Sequence, residues 1–220
     1  MNRIAVIDYG MGNLHSMAKA LEKVAPRSRV VVTADADELA RADRIVFPGV
    51  GAMAACMSEL QRLDLVETVR RLSRERPFLG VCLGMQALFG HSEESGGQAG
   101  LGILPGRVRG FSPELAETHG LKIPHMGWNR ARARQDHPLW SGLDAPWFYF
   151  VHSFYCQPDR DEDVLAECDY GQAFCCAVAH ENVVAVQFHP EKSQAAGLRL
   201  LSNFVEWRPE TGARGGSRVA

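Results

Sequence analysis

Arg76-Pro77-Phe78-Leu79-Gly80-Val81-Cys82-Leu83-Gly84-Met85-Gln86 reads as a strand running into a tight turn and then a helix. Pro77 opens a short apolar run, Phe78 to Val81, of the kind found in a strand buried on both faces. The turn Gly80 to Gly84 carries one cysteine at its centre, and Met85 to Phe89 has the look of a helix start. This is the context of a nucleophile elbow, with sulfur in place of the serine oxygen. Small neighbours tolerate a strained backbone that pushes one side chain out above the sheet. The helix start adds unpaired N–H groups that favour a thiolate. Taken alone, Gly-x-Cys-x-Gly fits a buried structural cysteine equally well.

Working outward toward the N-terminus, the chain alternates strands and helices. Arg3 to Asp8 is a strand apolar on both faces, followed by the Gly-rich turn Asp8-Tyr9-Gly10-Met11-Gly12-Asn13. From Leu14 to Val24, apolar residues recur at helical spacing until Pro26. Arg29 to Thr33 and Arg44 to Phe47 are further strands, with a short helical piece, Asp37 to Ala40, between them. Pro48-Gly49-Val50-Gly51 closes the third strand, and two helical stretches, Met53 to Leu63 and Leu65 to Arg74, lead back to the elbow. That alternation predicts a doubly wound α/β sheet with ligands at the carboxyl ends of its strands.

Beyond Gly90 the glycines Gly96, Gly97, Gly100, Gly102 and Gly106 mark loops. Strands are expected at Arg107 to Phe111, Trp147 to Tyr155 and Val164 to Tyr170. A hairpin is expected from Phe174 to Ala179 and Val183 to Phe188, giving a more antiparallel half. A last helix runs from about Gln194 to Trp207 with Ser193 as N-cap. The expected organisation is one domain, 1–208, and an unstructured tail, 209–220.

The chain has 220 residues, 46% apolar and 23% charged, enough for an ordinary globular core. A formal net charge of -2 gives no field that would recruit nucleic acid or an anionic membrane. No run is long and apolar enough to span a bilayer and the N-terminus lacks a signal-peptide pattern, so the expected compartment is the cytosol. The six cysteines, Cys56, Cys82, Cys156, Cys168, Cys175 and Cys176, show no Cys-x-x-Cys spacing, so no metal site is expected.

A nucleophilic cysteine needs a base, and one of the eight histidines has suitable company. In Val186-Gln187-Phe188-His189-Pro190-Glu191, Pro190 biases His189 toward an extended conformation. Extended residues two apart point to the same side, about 6.6 Å from each other. Glu191 is then placed to receive one imidazole N–H while the other nitrogen faces a thiol. Cys82, His189 and Glu191 form a candidate nucleophile, base and orienter. The Pro48–Gly51 loop and the N–H of Leu83 are candidate oxyanion donors, although Pro-Gly-Val-Gly also fits a plain turn.

These motifs together resemble the class I glutamine amidotransferases. Pro124-His125-Met126-Gly127-Trp128-Asn129, Tyr149-Phe150-Val151-His152-Ser153-Phe154 and the Asp8–Asn13 turn narrow the resemblance to the glutaminase subunits of imidazole glycerol phosphate synthases. The resemblance implies a class I glutamine amidotransferase-like α/β fold, a central mostly parallel sheet flanked by helices with an added antiparallel portion. It also implies that Cys82, His189 and Glu191 hydrolyse glutamine through a thioester without a cofactor. By the same resemblance, Val50 and Leu83 form the oxyanion hole, with Val50 turning its N–H inward when the partner is loaded. Gly51, Gln86, His152, Ser153 and Phe154 hold the substrate. Asn13, Met126, Trp128, Tyr149 and Lys192 face a (β/α)8-barrel cyclase subunit in a heterodimer that takes up the ammonia. The rival readings are a glutaminase of another pathway, a cysteine peptidase or esterase with the same triad, and an inactive binding module.

Overall fold

The computed structural model describes residues 2–209, with the side chains of residues 115 and 116 left undescribed. From residue 210 onward, the expected tail lies outside the described residues. In chain order the elements are β1 (Arg3–Ile7), α1 (Leu14–Val24), β2 (Arg29–Thr33), α2 (Ala36–Ala40), β3 (Arg44–Gly49), α3 (Met53–Arg62), α4 (Val66–Glu75), β4 (Phe78–Cys82) and α5 (Leu83–Ala87). Then follow β5 (Phe89–Ser92), β6 (Gln98–Ala99), β7 (Leu104–Gly110), α6 (Pro113–Thr118), β8 (His125–Arg130), β9 (Arg132–Ala133), β10 (Trp147–His152) and β11 (Phe154–Pro158). The chain ends with β12 (Val164–Asp169), β13 (Ala173–His180), β14 (Val183–Val186) and α7 (Gln194–Glu206).

The main sheet runs β2-β1-β3-β4-β14-β13-β11-β7-β5-β6, with β12 also pairing β13. Its first five strands are parallel, and antiparallel pairing begins at the β14–β13 hairpin. Strand periodicity divides the core in two. Ile4, Val6, Val46, Leu79, Val81, Val184 and Val186 pack with Met17, Leu21, Leu201 and Phe204 of α1 and α7. The alternate residues Ala5, Ile7, Ile45, Phe47 and Phe78 pack with Cys56, Leu60, Val69 and Leu72 of α3 and α4. A strand buried on both faces has no solvent side to alternate with, which explains the continuous apolar runs of β1, β3, β4 and β14. The architecture is the expected mostly parallel mixed sheet flanked by helices, and among the described residues no helix is long and apolar enough to cross a membrane.

Four local expectations need correcting. The stretch after the elbow is a five-residue helix, α5, and Phe89 opens strand β5. Trp147 to Tyr155 is two strands broken at Ser153: β11 joins the main sheet, whereas β10 pairs β8 in a separate antiparallel ribbon. β3 continues through Pro48 and Gly49, which pair in register with Val81 and Cys82, so only Val50 and Gly51 lie beyond the strand. Ser193 occupies the N-cap position of α7 without capping it. Its hydroxyl instead donates to the His189 carbonyl (2.6 Å) and accepts from the Tyr149 N–H (3.0 Å).

Candidate active site

β3, β4 and β14 lie side by side and parallel, so the segments leaving their carboxyl ends meet above the sheet. Cys82 ends β4 with φ 56°, ψ −114°, a left-handed conformation that an L-residue adopts at a cost of about 1–3 kcal/mol. Close packing beneath the turn holds it there. A Cβ at Gly84 would overlap the Phe47 carbonyl, and one at Gly49 would sit 2.5 Å from the Tyr9 hydroxyl. Glycine at these two positions lets β3 and α5 approach closely enough to pin the turn.

His189 follows β14 in an extended conformation, φ −102°, ψ 95°, as Pro190 requires. Pro190 to Lys192 then forms a 3₁₀ turn, and this turn carries Glu191 back to the imidazole in place of the expected straight extension. His189 Nδ1 lies 2.8 Å from Glu191 Oε1, and both side chains are about 2% exposed. A carboxylate accepts only, so Nδ1 carries a proton toward Glu191 and Nε2 is the nitrogen left to exchange a proton with Cys82. Nε2 is buried with no hydrogen bond that meets both distance and angle, yet the Cys82 sulfur is near enough to bear on it. Burial pulls the imidazole down, but hydrogen bonding and charge from Cys82 and Glu191 outweigh it and hold His189 up at about 10.

A cavity of about 310 Å³ opens over Cys82 and His189. Val50, Leu83, Gly51, Gln86, His152, Ser153 and Phe154 all line it. Glu191 does not, which fits a group reached only through His189. Sequence reasoning missed Pro124, Val151 and Glu94, the last the only carboxylate lining the cavity among the described residues. Glu94 Oε2 accepts the Met53 N–H at the start of α3 (2.7 Å). No pattern around Glu94 marked it, because it opens an irregular 3₁₀ turn, Glu94–Gly96, beyond β5.

A polar chain runs beside the cavity. His152 Nδ1 donates to the Phe154 carbonyl (2.7 Å), so its Nε2 is the acceptor for His125 Nδ1–H (2.9 Å). His125 Nε2 in turn faces the Asn129 amide (3.3 Å). Both rings are neutral in this arrangement. Burial pushes His125 down to about 4 and His152 to about 3; the Phe154 carbonyl works against the burial of His152, and the neighbouring imidazoles of His125 and His189 add to it.

The residues expected to face a partner lie on the β8–β10 ribbon, on the turn after His189 and at the start of α1. On the outer face of the β8–β10 ribbon, Trp128 stands opposite Tyr149, their rings 6.2 Å apart at 73°, and Lys192 Nζ lies 5.9 Å from the Tyr149 ring centre. Met126, Trp128 and Trp147 are 61%, 43% and 53% exposed, and Val151, which pairs with Met126 across the ribbon, lines the cavity. Asn13 is half-buried at the start of α1, a helix that packs against the turn carrying Lys192, and makes no side-chain cap bond. Among the described residues no group of three or more His, Cys, Asp and Glu side chains is arranged to hold a metal ion.

Residues 5–207 match the family model described as "Glutamine amidotransferase class-I". The chain is 56% identical over 213 residues to the imidazole glycerol phosphate synthase subunit HisH of Methylococcus capsulatus, covering 95% of this chain and 98% of that protein. It is 53% identical to the HisH subunit of Aromatoleum aromaticum, over 95% of this chain and all of that one. Among solved structures it resembles PurLQS from Thermotoga maritima, with a TM-score of 0.72 at 16% identity over 93% of this chain and 98% of that one. A second structural relative is a glutamine amidotransferase crystal structure, at TM-score 0.69 and 19% identity over 92% of this chain and 97% of that one.

Proposed function

The chain belongs to the class I glutamine amidotransferase family, and from that premise we propose that it is the glutaminase subunit of an imidazole glycerol phosphate synthase. In this role it hydrolyses glutamine to glutamate and ammonia and hands the ammonia to a cyclase subunit. The cyclase uses it to form imidazole glycerol phosphate and AICAR in histidine biosynthesis, in the cytosol. The observation that carries the reading is the meeting of the Cys82 elbow and the His189–Glu191 pair over one cavity at the ends of β4 and β14.

The chemistry follows from the geometry. His189 takes the Cys82 proton at Nε2, and the thiolate attacks the side-chain carbonyl carbon of glutamine. The oxyanion forms against the N–H groups of Val50 and Leu83. The imidazolium, oriented by Glu191, gives its proton to the departing nitrogen; the C–N bond breaks and ammonia leaves a glutamyl thioester. His189 then removes a proton from water, hydroxide adds to the thioester, the C–S bond breaks, and the sulfur recovers the proton.

Gly51, Gln86 and the segment His152-Ser153-Phe154 hold the substrate, and Glu94 adds what an amino acid needs, a carboxylate for the α-ammonium. Met126, Trp128, Tyr149 and Lys192, with Asn13, dock a (β/α)8-barrel cyclase in a heterodimer. Such docking covers exposed aromatics beside the cavity and keeps ammonia from being protonated in bulk water. Gly51, at φ 96°, supplies the backbone freedom by which the Val50 N–H turns inward when the cyclase is loaded.

The test is glutamate release by the purified chain and its Cys82→Ala variant, alone and with the cyclase and its ribonucleotide. Release that is low alone, rises strongly with both, and vanishes in the variant is the expected result. Cys82-dependent release indifferent to the cyclase would assign the glutaminase to another pathway.

A further inference from the structure

Gln187 is fully buried, and its backbone N–H is fixed to the Cys176 carbonyl (2.9 Å). The direction in which its side-chain amide points can be deduced from a group that has no choice. The Phe154 carbonyl only accepts, so the Gln86 side chain must present Nε2 to it (3.0 Å). The same Nε2 lies 3.0 Å from Gln187, which must therefore show Oε1 there. That leaves the Gln187 Nε2 donor aimed at Cys82 Sγ, 3.9 Å away. Flipping the Gln187 amide alone would set two donors against each other, and flipping the Gln86 amide alone would set its Oε1 against two acceptors, either at a cost of about 1–3 kcal/mol in a buried site. The Phe154 carbonyl is itself held by His152 Nδ1–H (2.7 Å), so the amide orientation is fixed from both ends.

We infer that Gln187 is a positioning residue for the nucleophile, its side-chain N–H holding the Cys82 sulfur in place and favouring its anionic form through a donor oriented by Gln86 and the Phe154 carbonyl. The inference rests on Cys82 being the nucleophile. An N–H aimed at sulfur stabilises charge there and gives little to a neutral thiol. Gln86 also lines the substrate cavity, so the group that meets glutamine is the group that sets the Gln187 amide. Substrate contact and nucleophile alignment then share one hydrogen-bonded unit.

The test is the rate at which iodoacetamide alkylates Cys82 in the full chain from pH 6 to pH 10, read by intact mass, in the wild type, Gln187→Met and Gln187→Glu. Cys82 lines the cavity, burial pushes the thiols of Cys56, Cys156, Cys168, Cys175 and Cys176 up, and peptide mapping counts alkylation at Cys82 alone. At pH 7 the Met variant reacts about tenfold more slowly and the Glu variant more slowly still, and all three rates converge on the alkaline plateau. In glutamine hydrolysis kcat falls with KM little changed. Rates that superimpose on the wild type, or that fall equally at every pH, would overturn the assignment. If the variants do not fold, the wild type decides: its Gln187 side-chain amide NMR signals should shift when Cys82 is alkylated, and signals that stay put refute the contact. The alkylation and NMR readouts do not require glutamine turnover, so a wild type that fails to hydrolyse glutamine would defeat the glutaminase reading without deciding this one.

Discussion

Lowering the pH from 7.5 to 5 should destabilise the fold through one identifiable pair, His125 and His152. Each imidazole is buried, and the hydrogen bond between them requires one nitrogen to accept. Protonation of either ring turns that acceptor into a second donor. The rings of Phe150, Tyr170 and Phe174 close around His125 and offer no compensating negative charge. With folded-state values of about 4 and about 3 against an ordinary 6.5, both groups bind protons more readily in the unfolded chain. Their contribution is therefore complete above pH 6.5 and lost as the pH falls toward 4 and then 3. At pH 5 the linkage loss is about 2 kcal/mol per ring, about 4 kcal/mol for the pair, out of a stability on the order of 5–15 kcal/mol. Taken alone, the pair would lower the melting temperature by about 10 °C in a chain of this length, and His189, held up at about 10, offsets part of that because its stabilisation grows as the pH falls to 6.5 and below. The assay is urea unfolding at pH 7.5 and 5.0 of the wild type, His125→Gln and His152→Gln. Each variant removes one titrating ring, so its pH-dependent loss should shrink by about 2 kcal/mol, whatever its stability at pH 7.5. A loss as large in both variants as in the wild type, or a folded-state NMR titration of either ring near 6.5, would refute the reasoning.

Three further outcomes follow from the site and the fold. Glu94→Gln should raise the KM for glutamine by about 10–100-fold, as expected for a lost charge-assisted contact, and leave kcat nearly unchanged; steady-state kinetics checks this. Gly84→Ala should destabilise the chain by about 3 kcal/mol or more, because its Cβ overlaps backbone that cannot rotate away, and the urea midpoint should fall accordingly. Trp128→Ala should weaken binding to the cyclase by about 2 kcal/mol in calorimetry while the iodoacetamide reactivity of Cys82 is unchanged.

The parallel half of the fold was legible because each element there obeys one period. α1 runs from Leu14 to Val24 as the apolar spacing and Pro26 require, and β1 and β2 begin and end within a residue of their predicted limits. The antiparallel half was less legible for a physical reason. Trp147 to Tyr155 has one continuous β-like composition, and only the tertiary arrangement breaks it at Ser153 between two sheets. Phe89 continues an apolar pattern that suits a helix, but pairing with Leu104 of β7 turns it into a strand. At the site, residues held by local turn chemistry, Cys82, His189 and Glu191, could be read from adjacent letters. Glu94, and the Gln86 and Gln187 amides linked across 101 positions, depend on contacts that no local pattern encodes.

Cys82 and His189, the proposed nucleophile and base, are fastened to different parts of the fold. Cys82 belongs to β4, in the middle of the main sheet, where parallel neighbours grip it on both sides. His189 has left β14 and donates its N–H to the Tyr149 carbonyl (2.9 Å), while Ser193 bridges the His189 carbonyl and the Tyr149 N–H. The imidazole is thus moored to the two-stranded ribbon at both its amide and its carbonyl. The sulfur-to-nitrogen gap is a clearance between two parts, set by where the ribbon rests on the sheet. Movement of the ribbon on the sheet changes that gap, and Trp128 and Tyr149 stand on the same part to which His189 is tied.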